Sequence, residues 1–206
     1  MRSRRFFSPK EIVHLYKAQV LSFIESSTTG LYHAAPSTLE RIDRVQRRFL
    51  REVGLSEFEA LRDHKLAPLS SRRDMAMLGL LHRVTLGLAP PQLASLFPVR
   101  GAVDEPALRH QLRYWRPLHS RQLTTPANFR SSDVLKRSVF GIALCYNKLP
   151  QRIVDSKTVK QFQSTLQHGL LCFAERRIAH GLGWERLFSA DWRVLQRTQL
   201  DEYFSH

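Results

Sequence analysis

The segment STLERIDRVQRRFLREVG, residues 37 to 54, decides the fold class of this chain. Ser37 followed three residues later by Glu40 fits the reciprocal capping box at a helix start, and Gly54 is a natural left-handed terminator. The apolar residues between them return at helical spacing. The segment therefore predicts one amphipathic helix over residues 37 to 53.

The two sides of this predicted helix differ in chemistry when successive residues are placed 100° apart. The apolar side consists of Ile42, Val45, Phe49 and Val53. The basic side consists of Arg41, Arg44, Arg47, Arg48 and Arg51. Guanidinium groups suit phosphate because they donate two parallel hydrogen bonds and are weakly hydrated. Two interpretations remain open, a phosphate-binding surface or a solvated helix face, since Glu40 and Asp43 compensate the charge only in part.

The whole chain is strongly basic. Its 206 residues contain 32 Lys and Arg against 18 Asp and Glu, which gives a formal net charge of +14. The excess is spread along the sequence, because residues 1 to 100 carry 16 basic and 9 acidic side chains and the remainder carries the same numbers. Nucleic acid is the usual partner of such a surface, although anionic membranes and acidic proteins share the required sign.

The cysteine count and the hydropathy pattern indicate the cellular compartment. Cys145 and Cys172 are too few for a disulfide scaffold, and both are predicted to be buried thiols in a reducing environment. No apolar run approaches the roughly 20 residues that span a bilayer, and no signal-peptide core follows Met1. We therefore expect an intracellular protein, nuclear or cytoplasmic, without a membrane partner.

Further helix signals make the predicted fold class all-α. Ser8 with Glu11 and Ser56 with Glu59 repeat the capping-box pattern, and the first of these opens a helix over residues 9 to 25. Residues 70 to 86 are apolar nearly all the way round, which predicts a central helix packed on several sides. Later helices are predicted over residues 132 to 147, 156 to 178 and 189 to 203.

Four prolines interrupt the middle of the chain, at Pro98, Pro106, Pro117 and Pro126. They exclude one long helix and predict a basic irregular connector over residues 98 to 130, within which a short β-hairpin over residues 109 to 123 is an alternative. The predicted architecture is thus a helical bundle in two lobes, an N-terminal lobe over residues 9 to 97 and a C-terminal lobe over residues 131 to 206.

Two further groups of residues are candidates for nucleic-acid contact. Within the connector, Arg113, Tyr114, Trp115 and Arg116 combine cations that neutralise phosphate with rings that stack on bases. The rings could instead anchor the connector to the helical core. Arg72 and Arg73 lie in the first turn of the central helix, where positive charge opposes the helix dipole at about 0.3 to 1 kcal/mol. A phosphate or a nearby carboxylate such as Asp74 would compensate them.

The sequence offers no catalytic or metal constellation. His168 and Cys172 stand four residues apart, but a structural zinc site normally requires four ligands with more telling spacing. There is no nucleophile elbow and no phosphate loop. The adjacent acidic pairs, Asp104-Glu105 and Asp201-Glu202, lack a framework that would hold catalytic metal ions. We therefore expect no enzyme activity, no cofactor and no bound metal.

Four stretches carry a resemblance to a known family. They are Leu15-Tyr16-Lys17-Ala18 through Tyr32, the helix Leu39 to Arg51, the step Leu66 to Arg73, and Tyr146-Asn147-Lys148-Leu149-Pro150 followed by Phe162 and Leu166. Their order is similar to the region that follows the polymerase core in non-LTR (LINE-type, jockey-like) retrotransposon reverse transcriptases. Tyr146 stands where that family usually has tryptophan. The similarity covers about residues 10 to 172.

The resemblance implies a thumb and post-thumb segment that grips a template-primer duplex. The palm carboxylates that would catalyse polymerisation in that family have no counterpart in this sequence. We therefore expect binding of RNA or an RNA:DNA duplex through arginine-rich helices, with a polymerase palm domain as a further expected partner. The alternative is an inert or protein-interaction helical bundle left from a decayed mobile element.

Overall fold

A computed structural model describes residues 6–99, 119–124, 133–181 and 183–184. Within these ranges the regular structure is helical, and β-structure is confined to one isolated antiparallel bridge between Val99 and Leu123. The all-α prediction is therefore confirmed. The predicted helix over residues 189 to 203 and most of the alternative hairpin lie outside the described residues.

The chain begins with a long helical rod. Helix α1 (Pro9–Tyr16) continues through a π-helical turn (Lys17–Leu21) into α2 (Ser22–Ser26), and α3 (Thr28–Leu31) follows. The predicted capping box is present at its start, because the Ser8 Oγ accepts from the Glu11 N–H and the Glu11 carboxylate accepts from the Ser8 N–H at 2.7 Å. The prediction of a helix over residues 9 to 25 is confirmed.

Helix α4 (Pro36–Val53) contains the segment that set the fold class. It ends as predicted, with Gly54 in the left-handed conformation at φ +79°. The predicted capping box at Ser37 is wrong, because the helix begins one residue earlier and Ala35 occupies the N-cap. Pro36 starts the helix instead, since its fixed φ suits the first turn and its missing N–H needs no partner there.

Helix α5 (Glu57–His64) has the capping box predicted at Ser56 and Glu59. It ends at Lys65, which is left-handed at φ +52°. The Lys65 N–H donates to the Leu61 carbonyl at 3.1 Å, and the Leu66 N–H donates to the Ala60 carbonyl at 2.8 Å. These two bonds close the end of α5, with Lys65 in a left-handed conformation that glycine adopts more readily.

Helix α6 (Leu69–Thr85) is the central helix, as predicted. Its buried positions occupy nearly every side: Leu69, Ser71, Arg73, Met75, Met77, Leu78, Gly79, Leu81, His82 and Val84. A short α7 (Pro91–Ala94) follows. An all-round buried helix needs covering elements on several sides.

The second half of the chain supplies much of that cover. It contains α8 (Asp133–Lys136), α9 (Val139–Tyr146), α10 (Gln151–Val154) and α11 (Val159–Ala179). Helices α9 and α11 pack directly on α6. The buried His82 ring stacks on Phe162 with centroids 4.1 Å apart, and its two nitrogens lie 3.0 Å from the Tyr146 hydroxyl and 2.9 Å from the Ser156 carbonyl.

The described residues of the predicted connector, 98–99 and 119–124, form no helix, and Val99 and Leu123 make the isolated bridge. His119 and Leu123 are buried. The Asn147 side chain donates to the Leu123 carbonyl at 2.8 Å and accepts from the Leu123 N–H at 2.7 Å. One side-chain amide thus satisfies both backbone groups of Leu123.

Buried side chains form two hydrophobic cores. The smaller core joins α1, α4 and α5, where the Tyr16 and Phe49 rings stack 4.0 Å apart. The larger core is built around α6 and includes residues from Tyr32 to Trp184, on both sides of the connector. The division into two lobes as folding units stays a prediction.

The two cysteines differ in exposure. Cys145 is buried in the larger core, as predicted, and burial raises the pKa of its thiol to about 12. Cys172 is half-buried, so the prediction is wrong for this residue, which lies at the rim of α11. Among the described helices, none combines the length and apolar character needed to cross a bilayer.

Candidate nucleic-acid interface

The buried side of α4 is rotated slightly from the predicted one. Phe49 is buried as expected and Ile42 is half-buried, but Val45 is 46% exposed, so its predicted inward position is wrong. Gln46 is buried instead, and its Nε2 donates to the Ala67 carbonyl at 3.0 Å. The hydrogen bond makes a polar residue acceptable inside, which apolar periodicity alone does not reveal.

The opposite side of α4 carries the arginine stripe, defined as Arg41, Arg44, Arg47, Arg48 and Arg51. All five side chains are exposed. They recur at intervals of three and four residues, so they share one face over ten residues, about 15 Å of helix. The structure therefore brings these five predicted site residues together on one convex surface.

Arg47 is distinct from its four neighbours. Its guanidinium forms a salt bridge with Glu40, and this hydrogen bond raises the pKa of Arg47. Both side chains are about half exposed, so the pair contributes little to stability. Across the described ranges, the guanidinium groups of Arg41, Arg44, Arg48 and Arg51 have neither a salt bridge nor a hydrogen bond. Four cations of the stripe are thus available to an anion.

Arg73 lies apart from the stripe. It is buried, and its two terminal nitrogens donate to the Asp43 carboxylate of α4 at 2.6 and 2.9 Å. This bidentate pair holds α6 against α4. A carboxylate from a neighbouring helix therefore compensates the positive charge of Arg73 in the first turn of α6. Arg73 is therefore committed to the core and is left out of the interface proposed below.

Arg72 is paired with a carboxylate, as Arg73 is, but its side chain is more exposed. Its Nε donates to the Glu25 carboxylate at 2.5 Å, and the two side chains are 22% and 39% exposed. The carboxylate suggested from sequence, Asp74, has a different role, since it accepts from the Tyr32 hydroxyl at 2.9 Å. The four predicted connector residues, Arg113, Tyr114, Trp115 and Arg116, lie outside the described residues.

Metal ligands are not clustered in the part of the chain that the structure describes. No group of three or more His, Cys, Asp and Glu side chains there could hold a metal ion. The His168 Nε2 lies 3.7 Å from the Cys172 Sγ on the same face of α11, which is a contact between two side chains of one helix.

Sequence reasoning overlooked the role of Asp43 and of Lys65. Asp43 was counted as partial compensation for the stripe, but it lies at the edge between the two faces of α4 and pairs across to α6. Lys65 has no marked sequence context, because its left-handed conformation is a property of the folded backbone.

The protein was compared with protein-family models, with curated proteins and with solved structures, and none of them matches it. The similarity to the region downstream of the polymerase core in non-LTR retrotransposon reverse transcriptases therefore stays a prediction from the residues quoted above.

Proposed function

We propose that this chain binds nucleic acid through the arginine stripe of α4 and performs no catalysis of its own. The observation that carries the proposal is the set of four exposed guanidinium groups, on one helix face, without carboxylate partners among the described residues. A stripe kept for solubility alone would not need four unpaired cations within about 15 Å, where they repel one another.

The ligand that fits this face is a nucleic-acid backbone. A duplex presents one negative charge per roughly 1.7 Å of axis, so several phosphates lie within the length of the stripe. The major groove of an A-form helix is too deep and narrow for side chains to read. For RNA or an RNA:DNA duplex, we therefore expect α4 to lie across the backbone and contact phosphates rather than base edges.

The resemblance supports the same assignment. In the reverse transcriptases that the sequence resembles, the corresponding region is a thumb that grips the template-primer duplex, and the helix from Leu39 to Arg51 is the most distinctive of the similar stretches. We propose that the chain is a thumb and post-thumb segment of this kind, with a polymerase palm domain as a partner.

The salt dependence of duplex binding tests the proposal. If four guanidinium groups each contact one phosphate, log K against log salt should fall with a slope of about −3.6. Arg44→Glu with Arg48→Glu should weaken binding to an RNA:DNA duplex and bring the slope to about −2 or shallower. Fluorescence anisotropy at several salt concentrations measures both quantities.

A matched control changes the same charge elsewhere. Arg83→Glu with Lys157→Glu alters two exposed cations that lie on α6 and before α11, away from the stripe. We expect this variant to keep the parent slope. Equal losses in both double variants would show that net charge alone attracts the duplex, and parent affinity in the α4 variant would remove the proposal.

A second candidate function is protein interaction through the N-terminal rod. Large apolar side chains are exposed there, with Phe23 at 75% and Leu15 at 46%, and Phe7 just before α1 is 45% exposed. Exposed apolar patches mark partner surfaces or unpaired interfaces. Self-association measured by sedimentation and abolished by Phe23→Ser, together with indifference to nucleic acid, would favour this function. A stable monomer indifferent to nucleic acid would favour an inert bundle.

A further inference from the structure

Two adjoining cavities run along one side of α11. The first, about 390 Å³, is bounded by α11, α6 and the residues around Thr28, and the second, about 300 Å³, by α11 and α5. They share Ser164 and Gln167. The α11 side chains that line them, Lys160, Ser164, Gln167, His168 and Leu171, recur every three or four residues and span about 16 Å. We call these two adjoining cavities the α11 groove.

The rim of the α11 groove is basic. Arg72 and Lys160 line the first cavity, and Arg62 and Lys65 line the second. Arg72 is paired with Glu25, which also lines the groove, and Arg62 is paired with Asp63. Across the residues that the structure describes, Lys65 and Lys160 have no ion pair. The groove therefore keeps two ammonium groups that no carboxylate neutralises.

Two cations that line the groove, Arg72 and Lys65, are close enough to the neighbouring Lys17 to repel its charge. Burial, followed by the charges of Arg72 and Lys65, lowers the pKa of Lys17, whose ammonium donates to the His64 carbonyl. Glu25 opposes this effect. Crowded positive charge of this kind raises the energy of the empty site, and a bound anion would relieve it.

Lys65 supplies an independent observation. It is the one non-glycine residue with positive φ among those described, at +52°. Glycine would adopt this conformation without the cost that a Cβ brings, so a lysine leaves the position strained. Strain of this kind points to a side chain that is retained for another purpose. Lys65 lines the groove, and its carbonyl accepts from Gln167 Nε2 at 3.0 Å.

The floor of the groove is apolar, while its walls carry neutral hydrogen-bond donors. Leu61 and Leu171 lie under the second cavity, and Met75 lies under the first. The hydroxyls of Thr28 and Ser164 are not engaged in any hydrogen bond within the described part of the chain. An apolar floor with cations along the rim suits a ligand that alternates phosphates with flat, weakly polar groups.

We propose that the α11 groove binds a short stretch of single-stranded nucleic acid, with Lys65 and Lys160 on successive phosphates and bases on the apolar floor. This inference rests on the proposed function, because it gives the same class of ligand a second contact surface. A concave channel of this volume admits one strand and excludes a duplex, whereas the convex stripe of α4 suits a duplex. The chain would then hold a junction between double- and single-stranded segments.

Lys65→Gly is the variant that separates function from fold. It removes the ammonium but keeps the backbone carbonyl that Gln167 contacts, and it relieves the left-handed strain. We expect the melting temperature to rise by about 1 to 4 °C. We expect the affinity for a fluorescein-labelled oligothymidine of eight nucleotides to fall. The slope of log K against log salt should become shallower by about 0.7, because one phosphate fewer is neutralised.

Two further variants complete the measurement by fluorescence anisotropy. Lys160→Ala should lower oligothymidine affinity in the same way without raising the melting temperature. Lys157→Ala, an exposed lysine outside both cavities, is the matched control and should behave as the parent. All three should bind an RNA:DNA duplex as the parent does.

Each outcome separates the two proposals. Unchanged oligothymidine binding in both Lys65→Gly and Lys160→Ala would overturn the groove assignment and leave the stripe untouched. Loss of oligothymidine binding only in Arg44→Glu with Arg48→Glu would do the same. Equal competition by a polyglutamate peptide of matched charge would show that the groove binds acidic polymers without selecting nucleic acid, which overturns the single-strand assignment. A parent protein that binds neither ligand would remove both proposals.

Discussion

Helices α4 and α6 both carry arginines near one another in sequence, and the two sets have opposite surroundings. On α4 the stripe residues are exposed, and four of them have no ion pair among the described residues. On α6, Arg72 and Arg73 are each held by a carboxylate from an earlier helix, Glu25 and Asp43. The difference follows from cover, because α4 has one free side while earlier helices cover the first turn of α6.

This contrast shows which arginines of a sequence remain available to a ligand. A guanidinium beside the core loses hydration and must find an anion within the protein, whereas one on a free face keeps its water until a ligand displaces it. Whether an arginine is free to bind a partner molecule therefore depends more on the burial of its helix than on the number of arginines in that helix. Variants on α4, on α6 and at the start of α5 test how far this contrast holds.

The largest expected effect is on stability at the buried pair. Arg73→Met removes the guanidinium and leaves the Asp43 carboxylate, 20% exposed, without its partner. We expect the free energy of unfolding to fall by about 3 kcal/mol, since breaking a buried pair strands a charge. Urea unfolding followed by circular dichroism measures the loss.

The control for this variant is Arg48→Met on the free face of α4, which should change stability by less than about 0.5 kcal/mol. Adding Asp43→Leu to Arg73→Met should recover part of the loss, because it removes the stranded carboxylate. Similar losses of unfolding free energy in Arg48→Met and Arg73→Met would contradict the proposed difference between the arginines of α4 and those of α6.

A medium effect is expected from the pH dependence of Asp74 on α6. Burial raises the pKa of this carboxyl from 3.8 to about 7, against the opposing hydrogen bond from Tyr32. The folded protein therefore binds the proton more tightly than the unfolded chain. The resulting stability is fully present below pH 3.8 and is lost as pH rises toward 7.

Asp74→Asn should abolish this pH dependence. We expect it to raise the free energy of unfolding clearly more at pH 7.5 than at pH 4, because asparagine has no charge that burial opposes. Exposed Glu52→Gln on α4 is the matched carboxylate control and should show the same small effect at both pH values. His82 and His119, whose pKa values burial lowers, are common to all three proteins and cancel in the differences. An Asp74→Asn effect that does not vary with pH would contradict the assignment.

The fold class and the main helices were predictable because their signals are local. Apolar spacing and the caps at Ser8 and Ser56 act within a few residues, and they placed α1, α5 and α6 correctly. The connector segment around Leu123 could not be predicted in the same way, because its backbone bonds are supplied by Asn147, 24 residues away. Non-local partners leave no periodic trace in the sequence.

The candidate site was predictable only in part, for the same reason. Periodicity alone placed the stripe on one face of α4. It could not show that Asp43 would pair with Arg73, 30 residues away, or that Val45 would be exposed while Gln46 is buried. The left-handed conformation of Lys65 depends on the packing that ends α5, so the α11 groove becomes visible only in the folded chain.

The smallest expected effect concerns how α4 begins, compared with α5. Ser56→Ala removes a side chain that accepts from the Glu59 N–H at 3.2 Å and should lower the free energy of unfolding by about 1 kcal/mol. Ser37→Ala should change it by less than about 0.5 kcal/mol, because α4 starts at Pro36 and makes no side-chain cap. Thermal unfolding of both variants provides the comparison. An equal loss at Ser37 would mean that Ser37 and Glu40 form the capping box that the sequence pattern predicts. Glu40 would then be shared between the cap and Arg47, and Arg47 would be less firmly paired.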